Sequence, residues 1–255
     1  MSDFVKIDEF IIPKPKGFDY ELINGKIYDL INYYNPRLKE NGDFNIPEKV
    51  YNSKKDINFR KLVLKRFNNS TNQATGVLLS GEKGTGKTIQ AKLIAKESGL
   101  PIINVPNEIQ RDALVNFFKS FNTPVCVIFD EFDKYFETSD LLTLLEGISK
   151  TTKLLVLFTC NNLNKISEYL KDRCSRIRYI RQFTCKDNEA FLPEIITELG
   201  LEKHKNDLIK FCNENIVYPT IDNIKAFLTE YKEYLEEDEN ISLFDVAEYL
   251  NITLK

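Results

Sequence analysis

Gly76-Val77-Leu78-Leu79-Ser80-Gly81-Glu82-Lys83-Gly84-Thr85-Gly86-Lys87-Thr88 decides the fold of this chain. The first five residues read as a buried strand, and Thr88 opens a helix that runs to Ser98. Between them, Gly81, Glu82, Lys83, Gly84, Thr85, Gly86, Lys87 and Thr88 fit the pattern G-x-x-x-x-G-K-[ST]. Glycines at these positions let the backbone curl with its N–H groups pointing inward, onto a phosphate. The helix that follows adds its positive N-terminal end. At this spacing Lys87 reaches the β- and γ-phosphates of a nucleotide, and Thr88 offers its hydroxyl to Mg²⁺. A glycine-rich turn without a ligand is the competing reading; the strand before it and the helix after it argue against that.

A second buried strand, Val125-Cys126-Val127-Ile128-Phe129, ends in Asp130-Glu131. Beside a phosphate loop, Asp130 is placed to hold magnesium through water. Glu131 is then placed to polarise an attacking water. The adjacent acid is the informative feature, because it argues for hydrolysis and not only binding. A third strand, Leu154 to Thr159, leads into Cys160-Asn161-Asn162. An amide there can sense a γ-phosphate and hold water, although asparagine also fits a plain turn. Asn162 reads as the turn residue. Further on, Arg173-Cys174-Ser175-Arg176 offers guanidinium groups, which stabilise charge on a transferring phosphoryl group, in trans if the chain assembles. A basic surface stretch or a contact to a phosphate backbone is open to the same residues.

Working outward, Ile102 to Val105 is another short strand and Ile177 to Ile180 a weaker fifth. Continuous apolar strands alternating with helices predict an α/β domain with a five-stranded parallel sheet covered on both faces. After Thr184 the pattern turns helical: Phe191 to Leu199, Leu208 to Phe211, Ile221 to Leu235, and a helix opened by Ser242-x-x-Asp245. The acidic run Glu233 to Glu239 reads as a solvated loop. The lead-in is polar and turn-rich. Asn24-Gly25 and Asn41-Gly42 are tight-turn signals that point to a small hairpin, flanked by Ile27 to Ile31 and Phe44 to Ile46. The expected organisation is an extension over residues 1–58, a nucleotide-binding core over 59–184 and a helical domain over 185–255.

Composition narrows the classes. The 255 residues, 42 % hydrophobic and 29 % charged, suit a packed core. A net charge of −3 gives no global basic field for nucleic acid. Five cysteines, an odd number, and one histidine argue against a disulfide framework or a zinc site. The N-terminus has no apolar signal segment, and no run approaches the roughly 20 apolar residues that span a bilayer. The expectation is an intracellular, cytoplasmic chain without a membrane partner.

Taken in order, these residues resemble the AAA+ ATPase family from about Phe59 onward. Gly81 to Thr88 looks like its Walker A motif, Asp130-Glu131 like Walker B, and Asn161 like the sensor-1 asparagine. Arg173 and Arg176 look like its finger-region arginines, Arg173 being the closer counterpart of the finger that acts in trans. The resemblance implies a P-loop core with a five-stranded parallel sheet and an α-helical lid, ATP at their junction with Mg²⁺, and a homo-oligomeric ring, commonly a hexamer. Three departures stand out. Cys174-Ser175 replaces the Pro-Gly common between the arginines and is closer to clamp loaders. Ile224 takes the place of the sensor-2 arginine. Asn104 to Arg111 lacks the aromatic–apolar–Gly element of protein-threading members. A compact ATPase of the bacteriophage type, working in an infected host's cytoplasm, fits the size.

The leading expectation is a Mg²⁺-dependent ATPase that remodels or loads a macromolecular partner, protein or nucleic acid. Two others stand beside it. Arg173-Cys174, with Arg178 and Arg181 nearby, suggests a replication-linked, DNA-dependent ATPase. The missing sensor-2 arginine suggests an ATP-gated assembly module with little hydrolysis.

Overall fold

The computed structural model describes residues 4–7, 9–13, 20–70, 74–106, 109–136, 145, 153–163, 177–238 and 240–255. Four consecutive apolar segments form parallel neighbours: β5 (Thr75–Gly81), β6 (Ile102–Val105), β7 (Val125–Phe129) and β8 (Leu154–Cys160). Every residue of β7 and β8 is buried, as expected for strands covered on both faces. The order β6-β7-β8-β5 is followed by β9 (Ile177–Phe183), so the five expected strands lie side by side. This order sends the C-terminal ends of β5, β7 and β8 to one edge, the place where open α/β sheets carry ligands.

The sheet does not stop there. Among the described residues it has nine strands, in the order β1-β2-β4-β3-β6-β7-β8-β5-β9. The additional four are β1 (Phe4–Ile7), β2 (Phe10–Pro13), β3 (Ile27–Ile31) and β4 (Arg37–Asn41), paired with one another antiparallel. β3 joins the parallel set by running alongside β6. The Asn-Gly pairs do not form the hairpin tips. Gly25, at φ 77°, closes a turn ahead of β3. Its N–H donates to the Leu100 carbonyl at 3.1 Å, and the Lys26 carbonyl accepts from Ile102 N–H at 2.8 Å. That turn seats β3 on β6. Asn41-Gly42 ends β4, and Phe44 to Ile46 forms no strand. A helix the apolar pattern did not announce, α1 (Lys54–Asn69), crosses the expected boundary at residue 58. Ser53 caps it by accepting from Asp56 N–H.

By contacts the chain divides into two compact units, 1–81 with 87–182, and 82–86 with 183–255. The first holds the sheet, α1, α2 (Lys87–Ser98), α3 (Arg111–Lys119) and α4 (Phe132–Tyr135). Its core runs through Tyr28, Leu78, Ile103, Phe118, Phe129 and Phe158. The second is helical: α5 (Cys185–Glu189), α6 (Leu192–Glu198), α7 (Lys205–Asn215), α8 (Ile221–Glu237) and α9 (Leu243–Tyr249). The short α5 had no clear apolar period. Along α8 the buried positions are Ile224, Phe227, Leu228 and Tyr231, one helical stripe, with Phe227 stacked on Phe211 at 5.2 Å. Within the acidic run, Glu233 to Glu237 is helical, the end of α8, with Glu233, Glu236 and Glu237 exposed. Helical spacing of Phe227, Tyr231 and Tyr234 carries the helix through the charges.

Candidate functional site

The loop after β5 bends where its glycines allow. Gly84 and Gly86 sit at φ 74° and 89°, a region other residues enter at a cost. Gly84 also lacks room for a side chain: a Cβ there would lie 2.8 Å from the Thr220 methyl carbon. Thr85, buried, donates from its hydroxyl to the Glu82 carbonyl at 2.7 Å and tightens the turn. The Glu82 carboxylate accepts from the Cys185 thiol at 2.8 Å. Burial, together with that bond, pushes the Cys185 thiol up to about 12. Lys83 is exposed, Lys87 is buried, and Thr88 is half-buried on the first turn of α2. Burial pulls the Lys87 ammonium below the usual lysine range, opposed by Cys160 and by the carboxylates of Asp130, Asp133 and Glu131. An ammonium held close to carboxylates in a partly dry site is matched to a highly charged anion.

At the ends of β7 and β8 the side chains meet. Asp130 Oδ1 accepts from the Thr88 hydroxyl at 2.9 Å and from the Thr159 hydroxyl at 2.5 Å. Thr159 Oγ1 in turn accepts from Glu131 N–H at 2.7 Å. This bond holds a left-handed backbone at Glu131, φ 51°, where α4 begins. Asn161 Nδ2 donates to Glu131 Oε1 at 3.4 Å, and the Lys134 ammonium pairs with Glu131 Oε2. The Asp133 carboxylate accepts from Asn161 N–H and Asn162 N–H, each at 3.1 Å. Flanking the acids in sequence, Phe129, Phe132 and Phe136 pack with Phe158, stacked or edge-on, with centroids 5.0–6.1 Å apart. Such packing leaves the acids little freedom to drift.

The structure thus brings together Thr88, Asp130, Glu131 and Asn161, with Lys87 at the start of the same helix as Thr88. Asn162 is exposed and offers its backbone N–H to Asp133, as a turn residue does. Arg173 and Arg176 lie outside the described residues. Arg181 is not a surface cation. It is buried, and its guanidinium donates to Asp56 at 3.0 Å, tying β9 to α1. The alternation along β9 turns Arg181 inward with Ile177 and Phe183, which a short basic stretch concealed. Ile224, in place of an arginine, is fully buried in the helical unit.

Sequence reasoning missed three contributors. Thr159 looked like the last residue of an apolar strand; its signal was a hydroxyl in a segment otherwise able to bury everything. Asp133 carried no signal, since its partners are backbone groups 28 and 29 residues away. Asn41, Asp43, Phe44 and Asn45 line a cleft of about 390 Å³ together with Thr88 and Asp130.

Residues 77–182 match the model of the family "ATPase family associated with various cellular activities (AAA)". That stretch carries the phosphate loop and the acid pair, and over it the chain is similar to this family. Among curated relatives, the ATP-dependent zinc metalloprotease FtsH of Mycoplasmoides gallisepticum is 30 % identical over 145 residues, covering 46 % of this chain and 19 % of that one. A putative cell division cycle ATPase of Plasmodium falciparum is 35 % identical over 119 residues, 38 % of this chain and 10 % of that one. The chain therefore spans about a fifth or less of the length of these relatives. A probable inactive FtsH-type metalloprotease of Arabidopsis thaliana chloroplasts is also similar, 28 % identical over 163 residues, 52 % of this chain and 12 % of that one. Among solved structures, a RuvB variant of Thermotoga maritima aligns over 82 % of this chain and 73 % of its own, with TM-score 0.55 and 16 % identity. The FIGL-1 AAA domain bound to ADP aligns over 81 % and 84 %, with TM-score 0.52 and 15 % identity. Both likenesses concern the fold. No helix among the described residues is long and apolar enough to cross a membrane.

Proposed function

We propose that this chain is of the AAA+ kind and hydrolyses ATP with Mg²⁺, as a ring of identical subunits that remodels or loads a macromolecular partner. One observation carries the hydrolytic part: Thr88, Asp130, Glu131 and Asn161 are linked through hydrogen bonds, by way of Thr159, at the ends of β7 and β8. Gly81 to Thr88 holds the phosphates through backbone N–H groups, and Lys87 neutralises their charge. The donors fit magnesium, because the Thr88 hydroxyl and the Asp130 carboxylate are hard oxygens converging within 2.9 Å. Magnesium supplies charge neutralisation of the β- and γ-phosphates when bound.

Glu131 accepts a proton from the water whose oxygen attacks the γ-phosphorus, while the bond to the bridging oxygen breaks and ADP leaves. Asn161 holds Glu131 and that water in line. Arg173 and Arg176 are assigned to stabilise the transferring phosphoryl group from a neighbouring subunit. Family membership alone does not decide activity, since one relative is named inactive; the acid pair supports an active site here. Loss of Arg181 to a buried ion pair weakens the DNA-dependent reading, whose remaining support is Arg173-Cys174 and Arg178.

The test is steady-state ATP hydrolysis by the parent chain and Glu131→Gln, with nucleotide affinity measured alongside. Turnover falling about 100-fold or more with affinity kept is the expected result. Equal turnover in both would mean an idle acid and would favour the gated module. Measuring the parent and Arg173→Ala across protein concentration tests the ring: specific activity climbs with concentration in the parent and stays at background in the variant.

A further inference from the structure

Asp133 stands three residues after Asp130, in the single turn of α4 that follows the acid pair. An aspartate in a first helical turn ordinarily serves the helix's own free N–H groups. This one does not: α4 has no side-chain cap, and both Asp133 oxygens reach across to the residues that follow β8. Oδ1 accepts from Asn161 N–H and Oδ2 from Asn162 N–H, each at 3.1 Å. These two residues follow the last residue of β8, so their N–H groups have left the sheet ladder. A carboxylate that takes two successive N–H groups, one on each oxygen, fixes the peptide plane between them.

That plane carries the side chain of Asn161, whose amide reaches Glu131 Oε1 at 3.4 Å. A contact this long is sensitive to small shifts of the main chain. The same turn thus holds Glu131 and reaches back to place its partner. We propose that Asp133 is a positioning residue, a carboxylate clamp on the Asn161–Asn162 peptide that sets where the Asn161 amide stands against Glu131. Its consequence for turnover rests on the hydrolytic reading above; the clamp itself does not.

The experiment compares Asp133→Ala, Asp133→Asn and the parent. Asn keeps one carbonyl acceptor and so one of the two bonds; it also serves if the alanine variant fails to fold. Backbone amide hydrogen exchange at Asn161 and Asn162 is followed by NMR, with ATP affinity and kcat measured on the same samples. With the clamp removed, exchange at both amides speeds up about tenfold or more and kcat drops about 10- to 100-fold, while ATP affinity stays within about twofold. Asp133→Asn falls between, with one amide still protected. Exchange at the parent rate in Asp133→Ala overturns the clamp. An equal loss of kcat and ATP affinity overturns the positioning role, since that is what general damage to the site does. Faster exchange with parental kcat leaves the clamp standing and removes Asn161 from the reaction, which counts against the hydrolytic reading.

Discussion

Replacing Thr159 with valine keeps the shape of the side chain and deletes one hydroxyl. That hydroxyl is fully buried, donates to Asp130 Oδ1 at 2.5 Å and accepts from Glu131 N–H at 2.7 Å. The first bond ends on a charge and is worth about 1.5–3 kcal/mol; the second is between neutral groups and is worth about 1 kcal/mol. Valine offers Glu131 N–H no acceptor, and a left-handed conformation at a non-glycine residue costs about 1–2 kcal/mol that this bond helps to offset. Asp130 keeps the Thr88 hydroxyl at 2.9 Å, and Glu131 is partly exposed, so water recovers a share of the loss. The net expectation is destabilisation by about 2–4 kcal/mol. Thr159→Ser is the control. It keeps both bonds and loses one methyl group, about 1 kcal/mol. Urea unfolding with an unchanged slope measures both, and ATP turnover should fall further in the valine variant than in the serine variant. Valine within about 0.5 kcal/mol of the parent, or serine worse than valine, would refute the hydroxyl's role.

Three further outcomes follow from buried groups. Arg181→Met strands Asp56 without its cation, so urea unfolding should show a loss of about 3–5 kcal/mol; a loss under about 1 kcal/mol would show that the Arg181–Asp56 pair is not a structural tie. Burial, first of all, pushes the thiols of Cys160, Cys185 and Cys212 from 9.0 up to about 12 in the folded chain. Raised folded values mean that this stabilisation is fully present below about pH 9 and is lost as pH rises from there through about 12, so the urea midpoint should fall across that window. At pH 8 only about one thiol in ten thousand at such a site is ionised, so iodoacetamide should leave these three cysteines unlabelled until urea is added. Rapid labelling of Cys185, the most exposed of them, would contradict its tie to Glu82.

Much of the site was legible because its parts are local. A phosphate loop needs glycines, a lysine and a hydroxyl at fixed spacing, and Gly81 to Thr88 shows them in a row. Asp130 and Glu131 were readable from a strand that ends in acids. The parallel sheet was readable because strands buried on both faces leave continuous apolar runs, as β7 and β8 do.

The sequence by itself therefore determined the α/β class, the phosphate loop, the acid pair and the helical C-terminal region. Tertiary structure decided what depends on distant partners. Antiparallel strands β1 to β4 have short, mixed patterns, and only the pairing of β3 with β6 makes them part of the main sheet. Arg181 looks like its neighbour Arg178 in sequence, yet strand alternation and Asp56, 125 residues away, bury one and leave the other in water. Thr159 and Asp133 matter through bonds that cross 28 to 29 residues of chain. No local pattern encodes such contacts, because a hydroxyl or a carboxylate acquires its function from whichever donors folding places within 3 Å of it.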